Sequence, residues 1–253
     1  MCIHGLGGAA ADFGPLARFL AARGCAVRAI NLRGQGNDPD VSRRGHFLDP
    51  AGWRADLAAF TRGLGTDVPL FVIGESMGAL IAVDAVAHGT LSPRRMVLSA
   101  PVTEIRASPP PWVVSMMRKA ARIFPRAKVS PLRFVHGKTA MPRLTADDEY
   151  MAYLQTIPHR VGGFTLEFLT SFHDFMSGCR RCAGQVQVPT MMLAGGRDIF
   201  IRPDQSRGFF DTIGASEKEY LFYPRSHHLL WHDIDRDEVM ERVAAWIMEG
   251  RTA

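Results

Sequence analysis

The segment FVIGESMGALIAVDAVAHG, residues 71–89, constrains the fold of this chain more than any other stretch. The apolar run PLFVI is typical of a strand buried on both faces of a parallel sheet. It passes directly into Gly74-Glu75-Ser76-Met77-Gly78 and then into an apolar helical pattern. A serine at a sharp turn from a buried strand to a helix is the context of a nucleophile elbow. The alternative is a glycine-flanked serine used only for helix packing. The context favours the elbow, so we predict that Ser76 is a nucleophile.

Short apolar runs alternate with longer helical patterns through most of the remaining sequence. This alternation predicts an α/β fold with a doubly wound, mostly parallel sheet and right-handed crossovers. The alternation stops between residues 102 and 187, in a stretch rich in Pro, Met and aromatic residues. We therefore predict an α/β core formed by residues 1–101 and 188–253, with residues 102–187 inserted as a helical cap, or lid.

Basic residues are concentrated in the first half of the predicted cap, where Glu104 is the single acid. Between residues 101 and 145 they are Arg106, Arg118, Lys119, Arg122, Arg126, Lys128, Arg133, Lys138 and Arg143. The stretch lacks the interleaved aromatic residues of a nucleic-acid platform, so no nucleic-acid partner is expected. An anionic membrane surface or an amphiphilic substrate suits it better. The alternative is a solvated basic face.

The remaining composition indicates a cytoplasmic enzyme without a metal. The sequence contains no signal-peptide pattern and no apolar run long enough to span a bilayer. Cys179 and Cys182 form a lone C-x-x-C pair without the further Cys or His ligands that a zinc site requires. We therefore expect ordinary free thiols and no metal site.

A nucleophilic serine needs a base, and the base needs an acid to orient it. Asp198 follows one predicted strand, and His227 follows the next. The chain order Ser, Asp, His is that of the α/β-hydrolase fold. We predict the triad Ser76, Asp198 and His227, and hence a serine hydrolase. His228 is the alternative base, and Asp204 is the alternative acid, although a position at the start of a helix suits Asp204 better for capping.

The chain resembles the monoacylglycerol lipase and lysophospholipase branch of the α/β-hydrolases, also called serine aminopeptidase-like. The motifs that carry this resemblance are HGLGG (4–8), NLRGQG (31–36), RGHF (44–47), GESMG (74–78), LSAP (98–101), GGRD (195–198) and HHLLWHD (227–233). The family's closing motif is His, any residue, Leu, two or more residues, then an acid. The resemblance implies that His227 is the catalytic histidine and His228 a neighbour at the rim of the site.

The resemblance also implies an oxyanion hole. In this family the residue after His-Gly donates a backbone N–H, which corresponds to Leu6, and the residue after the nucleophile donates the second, which corresponds to Met77. His4 is then structural and holds the glycine loop in place.

Two departures from the family pattern affect these expectations. The family normally has a hairpin and most of another strand before His-Gly, whereas Met1 lies three residues before His4. We therefore expect a sheet without those N-terminal strands. His232 stands where relatives usually carry an acid, and Asp233 is expected to take its place.

The expected reaction is a two-step acyl transfer without a metal or an organic cofactor. The cap is expected to select the substrate, because Trp112 and Met116 lie near one face of a helical pattern with Arg118 and Arg122 on another. A lid over an acyl-chain tunnel, a helix on a membrane surface and packing unrelated to substrate are the three interpretations of this helix. We predict a hydrolase of monoacyl lipids, either monoacylglycerol or lysophospholipid. The alternatives are a short-chain carboxylesterase or thioesterase with the same triad, and a non-catalytic binding protein of this fold.

Overall fold

The computed structural model describes residues 1–46, 48–65, 68–106, 109–129, 142–159, 161 and 163–252. Phe47 of the RGHF motif, and Arg133 and Lys138 of the basic stretch, lie outside these residues. The strands are β1 (Cys2–Ile3), β2 (Ala29–Ile30), β3 (Phe71–Glu75), β4 (Arg95–Ser99), β5 (Lys128–Val129), β6 (Phe164–Thr165), β7 (Thr190–Gly195) and β8 (Lys218–Tyr223). The α-helices are α1 (Gly14–Ala21), α2 (Pro50–Arg62), α3 (Met77–Ala87), α4 (Pro111–Ile123), α5 (Asp148–Thr156), α6 (Leu166–Cys182), α7 (Pro203–Thr212) and α8 (Arg236–Thr252).

Within the described ranges, six strands form one sheet in the order β2-β1-β3-β4-β7-β8. Every pairing between neighbours in this sheet is parallel. The prediction of an α/β fold with a mostly parallel sheet is therefore confirmed.

Alternate side chains of the central strands enter two hydrophobic clusters, one on each face of the sheet. Val72 and Met192 lie in the cluster that contains α2, α3, α6 and α7. Ile73 and Met191 lie in the cluster that contains α1 and α8. The two-residue period of a strand sends successive side chains to opposite faces, and both faces are covered by helices. This is why the interior positions of β3, β4 and β7 are apolar or glycine, with polar residues only at the strand ends.

Helix starts follow local sequence signals. Asp49 accepts a hydrogen bond from the Ala51 amide before α2, and Asp147 accepts one from the Tyr150 amide before α5. The Thr165 hydroxyl accepts one from the Phe168 amide before α6. Each side-chain oxygen satisfies an amide that the first helical turn leaves unpaired.

The segment between β4 and β7 contains α4, α5, α6 and the antiparallel pair of β5 and β6. Its last helix, α6, also belongs to the core, because Phe172, Met176 and Cys179 lie in the same cluster as α3. The Cys179 thiol contacts the Leu80 carbonyl at 3.5 Å. The helical insertion thus ends against the helix layer that covers the sheet.

Candidate active site

Ser76 lies between β3 and α3, at the strand-to-helix turn that the sequence predicts. Its backbone has φ 55° and ψ −116°, and the residue is 8% exposed. Gly78 packs directly on β1, since a Cβ atom there would lie 2.1 Å from the Ile3 carbonyl oxygen. A Cβ atom at Gly74 would lie 2.6 Å from the Gly78 carbonyl oxygen. Both glycines are therefore required by the close approach of backbone around Ser76.

The glycine loop after β1 approaches Ser76. A Cβ atom at Gly5 would lie 3.0 Å from the Ser76 Cβ. His4 is fully buried beneath this loop, with its Nε2 accepting from the Leu32 N–H at 3.0 Å and its Nδ1 lying 2.9 Å from the Gly5 carbonyl oxygen. Burial lowers the pKa of His4 to about 4, so the ring is neutral at pH 7. The expected structural role of His4 is confirmed.

Leu6 and Met77 occupy the positions expected of oxyanion-hole donors. Leu6 follows Gly5 in the loop, and Met77 is the first residue of α3. Among the described residues, neither backbone N–H donates a hydrogen bond to a protein group. Both amides thus lack a protein acceptor among these residues, and the Met77 amide lies at the positive, N-terminal end of α3.

Asp198 lies in the loop after β7 and is 1% exposed. Its Oδ1 accepts from the Phe200 N–H at 2.7 Å, and its Oδ2 lies 2.7 Å from Nδ1 of His228. The prediction that Asp198 orients a histidine is therefore supported by its contacts. The prediction that this histidine is His227 is wrong: the residue paired with Asp198 is His228.

His227 instead pairs with Asp233, with 3.0 Å between Nδ1 and Oδ2. The two histidines lie in an irregular loop after β8, and their side chains face different carboxylates. The closing motif fits His228 as well as His227, since each is followed two residues later by a leucine. Of these two leucines, Leu230 is fully buried and Leu229 is only partly buried. Sequence alone does not show which of the two leucines is buried.

The environment of His228 favours its protonated form. Burial opposes a charge on the ring, yet the charge and the hydrogen bond of Asp198, with a smaller contribution from Glu75, together outweigh burial and raise the pKa of His228. The edge of Phe200 packs against the ring, with 4.8 Å between centroids. Because Nδ1 faces Asp198, the other ring nitrogen, Nε2, is the one that this carboxylate does not engage.

Asp204 is not the partner of either histidine. It lies in the first turn of α7 and forms an exposed ion pair with Arg202, with 3.1 Å between Nε and Oδ1. The residue at the N-cap position of α7 is Arg202, so Asp204 does not cap the helix as expected. An acid in the first helical turn still interacts favourably with the helix dipole.

Trp112 and Met116 lie on the outer surface of α4, with exposures of 64% and 60%. The side of α4 that packs inward carries Val114 and Ala121 instead. The expectation that Trp112 and Met116 face a covered tunnel is thus not met in this structure, because α4 turns its other side toward α6.

Metal-ligating side chains do not cluster in groups of three or more in the part of the chain that the structure describes. Among the same residues, no helix is both long and apolar enough to cross a bilayer.

The sequence profile of a family described as "Serine aminopeptidase, S33" matches residues 1–235 of the chain. A curated relative, the "Putative monoglyceride lipase" of Schizosaccharomyces pombe, is 27% identical over 191 residues, which is 74% of this chain and 50% of the relative. The chain therefore spans about half the length of the curated relative that it matches.

Solved structures with the same fold include two monoacylglycerol lipases. The lipase from Paleococcus ferrophilus superposes with a TM-score of 0.85 at 21% identity, covering 98% of this chain and 93% of that one. The second is a soluble variant of the Saccharomyces cerevisiae monoglyceride lipase in complex with a substrate analogue. It superposes with a TM-score of 0.82 at 20% identity, covering 100% of this chain and 86% of that one. At these identities the likeness establishes the fold.

Proposed function

Because the chain belongs to the serine aminopeptidase S33 family, we propose that it is a serine hydrolase of carboxylic esters that forms an acyl-enzyme on Ser76. The observation that carries the proposal is the placement of Ser76, Asp198 and His228. Each follows a different strand of the same parallel sheet, namely β3, β7 and β8. The carboxyl ends of parallel strands meet at one edge, which is where ligands bind in open α/β sheets.

The proposed reaction proceeds in two steps. The Ser76 hydroxyl attacks the ester carbonyl carbon while His228 Nε2 takes its proton, and Asp198 stabilises the imidazolium through Nδ1. The backbone N–H groups of Leu6 and Met77 hold the tetrahedral oxyanion, each contributing about 3 to 4 kcal/mol of transition-state stabilisation. The alcohol leaves with the proton from His228. Water, deprotonated by the same histidine, then cleaves the acyl-enzyme to free acid and regenerates Ser76.

We propose monoacyl lipids, either monoacylglycerol or lysophospholipid, as the substrate class. The curated relative and both solved structures named above are described as monoacylglycerol or monoglyceride lipases. The outer surface of α4 combines exposed Trp112 and Met116 with basic residues that include Lys119 and Arg122. Such a surface suits contact with the membrane that supplies an amphiphilic substrate.

The test is hydrolysis of a series of p-nitrophenyl esters from acetate to palmitate, with Ser76→Ala as the control. An optimum at medium or long chains that Ser76→Ala abolishes would support the lipid assignment and lead to assays on monoacylglycerols and lysophospholipids. An optimum at acetate or butyrate would overturn the lipid assignment and leave a short-chain esterase. Labelling of the wild type by a fluorophosphonate, absent in Ser76→Ala, separates both from a non-catalytic binding protein.

A further inference from the structure

The loop that carries both histidines is hydrogen-bonded to a segment of the cap. We call residues 226–235 the histidine loop and residues 144–147 the cap return segment. The Leu229 N–H donates to the Leu144 carbonyl at 3.0 Å. The Thr145 hydroxyl donates to the His232 carbonyl at 2.5 Å. These contacts join parts of the chain that are more than eighty residues apart in sequence, so only the fold brings them together.

Asp233 lies at the centre of this junction and is 1% exposed. Its Oδ1 accepts from the Ala146 N–H of the cap return segment at 2.9 Å and from the Ile234 N–H at 2.8 Å. Its Oδ2 accepts from the backbone N–H of His227 and lies 3.0 Å from Nδ1 of the same residue. Hydrogen bonds to an ionised carboxylate are about twice as strong as neutral ones, so these donors hold the loop in one geometry.

A second set of contacts, besides those of Asp233, holds the histidine loop. Tyr150, in α5, stacks on His232 with 3.7 Å between ring centroids and 7° between planes. The Nε2 of His232 lies 2.7 Å from the Asp12 carbonyl oxygen. Arg236, directly after the loop, forms an ion pair with Asp147 at 2.8 Å. The cap and the core thus contact the loop on different sides, and a shift of the cap segment alters the support of the loop.

His228 directly follows His227, whose backbone and ring are both bound by Asp233. We propose that Asp233 is a positioning residue that couples the cap return segment to His228, so that the position of the cap and the position of the proton-transferring histidine are set together. This inference rests on the proposed function, because it assigns the proton transfer to His228. Thr145, which is fully buried, is the second member of the coupling on the cap side.

The first test compares Asp233→Asn with Asp235→Asn. Asp235 is in the same loop but accepts from Ser226 and Arg225, and it has no hydrogen bond to the cap among the residues that the structure describes. For Asp233→Asn we expect kcat on a p-nitrophenyl ester to fall roughly 100-fold with KM little changed, the effect of misplacing a reacting group by about 1 Å. Asp235→Asn should keep the wild-type kcat. Equal kcat values for the two folded variants would overturn the inference.

A second comparison uses the cap side of the junction and does not depend on the folding of Asp233→Asn. Thr145→Val removes the hydroxyl donor while keeping the shape of the side chain, and Thr145→Ser restores the donor. We expect Thr145→Val to lower kcat and Thr145→Ser to recover most of it. If Thr145 only filled space, kcat would fall with the side-chain volume that is lost, and Thr145→Ser would be slower than Thr145→Val. That order of kcat values would contradict the coupling.

The double variant Asp233→Asn/Thr145→Val measures the coupling directly. When two residues act through one network, the kcat of the double variant falls by less than the product of the two single-variant losses. Multiplicative effects would show independent sites and would reject the inference. Fluorophosphonate labelling separates this outcome from failure of the proposed function. An unreactive wild type would remove the proposed function itself, whereas a reactive wild type with equally fast labelling of Asp233→Asn would remove only the positioning role.

Discussion

Ser76 adopts a backbone conformation that few residues other than glycine tolerate, and its surroundings maintain it. A residue held at positive φ costs on the order of 1 to 3 kcal/mol. The Ser76 N–H donates to the Ser99 carbonyl at 2.8 Å, which continues the pairing of β3 with β4, and the Ala79 N–H donates to the Ser76 carbonyl at 3.2 Å. The sheet on one side and the helix on the other therefore fix the strained turn and orient the serine.

At the same scale, two single substitutions distinguish the roles of His227 and His228. We expect His228→Ala to lower kcat by roughly 10⁴-fold or more, since a triad without its base loses most of its advantage. His227→Ala should cost less than about 10-fold, because the backbone N–H of residue 227 still reaches Asp233 and the Asp198–His228 pair remains intact. Steady-state kinetics on one p-nitrophenyl ester measure both losses of kcat. A larger loss for His227→Ala than for His228→Ala would refute the assignment of His228 as the base.

At the scale of an element, α4 has a packed side and an exposed side. Val114 and Ala121 are buried, whereas Trp112, Met116 and Ile123 are each at least 60% exposed. The basic residues of α4 are Arg118, Lys119 and Arg122, of which Arg118 pairs with Asp174. A helix that combines exposed apolar and basic residues has the composition of an interfacial helix.

This element predicts binding to anionic vesicles. The wild type should co-sediment with phosphatidylserine-containing vesicles more than with phosphatidylcholine vesicles, and salt should weaken this preference, because each Lys or Arg near an anionic surface contributes about 1 kcal/mol. Trp112→Ser with Met116→Ser should bind more weakly. Phe222→Ser, which alters an exposed apolar residue of β8, is the matched control. Equal loss of binding in the control would argue against a specific role of α4.

At the scale of the whole molecule, Glu75 links the stability of the fold to pH. The side chain lies at the end of β3, on the face of the sheet covered by α1 and α8, and is 4% exposed. Its Oε2 has no hydrogen-bond partner among the described residues. The carboxyl interacts with the Trp231 side chain, although the Trp231 Nε1 makes no hydrogen bond of normal geometry within those residues. Burial, with a smaller contribution from Asp12, raises the pKa of Glu75 to about 8.

The sign of the resulting pH dependence follows from proton binding. The unfolded chain releases the Glu75 proton near pH 4.5, whereas the folded protein retains it up to about pH 8. Between these values the folded state binds more protons, so rising pH lowers the free energy of unfolding. Glu75→Gln should remove this pH-dependent loss. Its free energy of unfolding should therefore rise relative to that of the wild type by up to about 1.4 kcal/mol per pH unit from pH 5 to pH 8. Urea unfolding across that range measures the gain, and a difference that does not change with pH would contradict it.

Local patterns in the sequence were sufficient for the parallel sheet, the strand-to-helix turn at Ser76, the position of Asp198 in the loop after β7 and the structural role of His4. Each depends on short-range physics: the period of a strand, the space that glycine leaves, or a loop directly after a strand. Tertiary structure decided the rest. Adjacent residues in an irregular loop have no fixed period, so the choice between His227 and His228 depended on which carboxylate each ring faces across the fold. The outward side of α4 was likewise set by its contact with α6, because an amphipathic pattern does not state whether its apolar side meets protein, substrate or membrane.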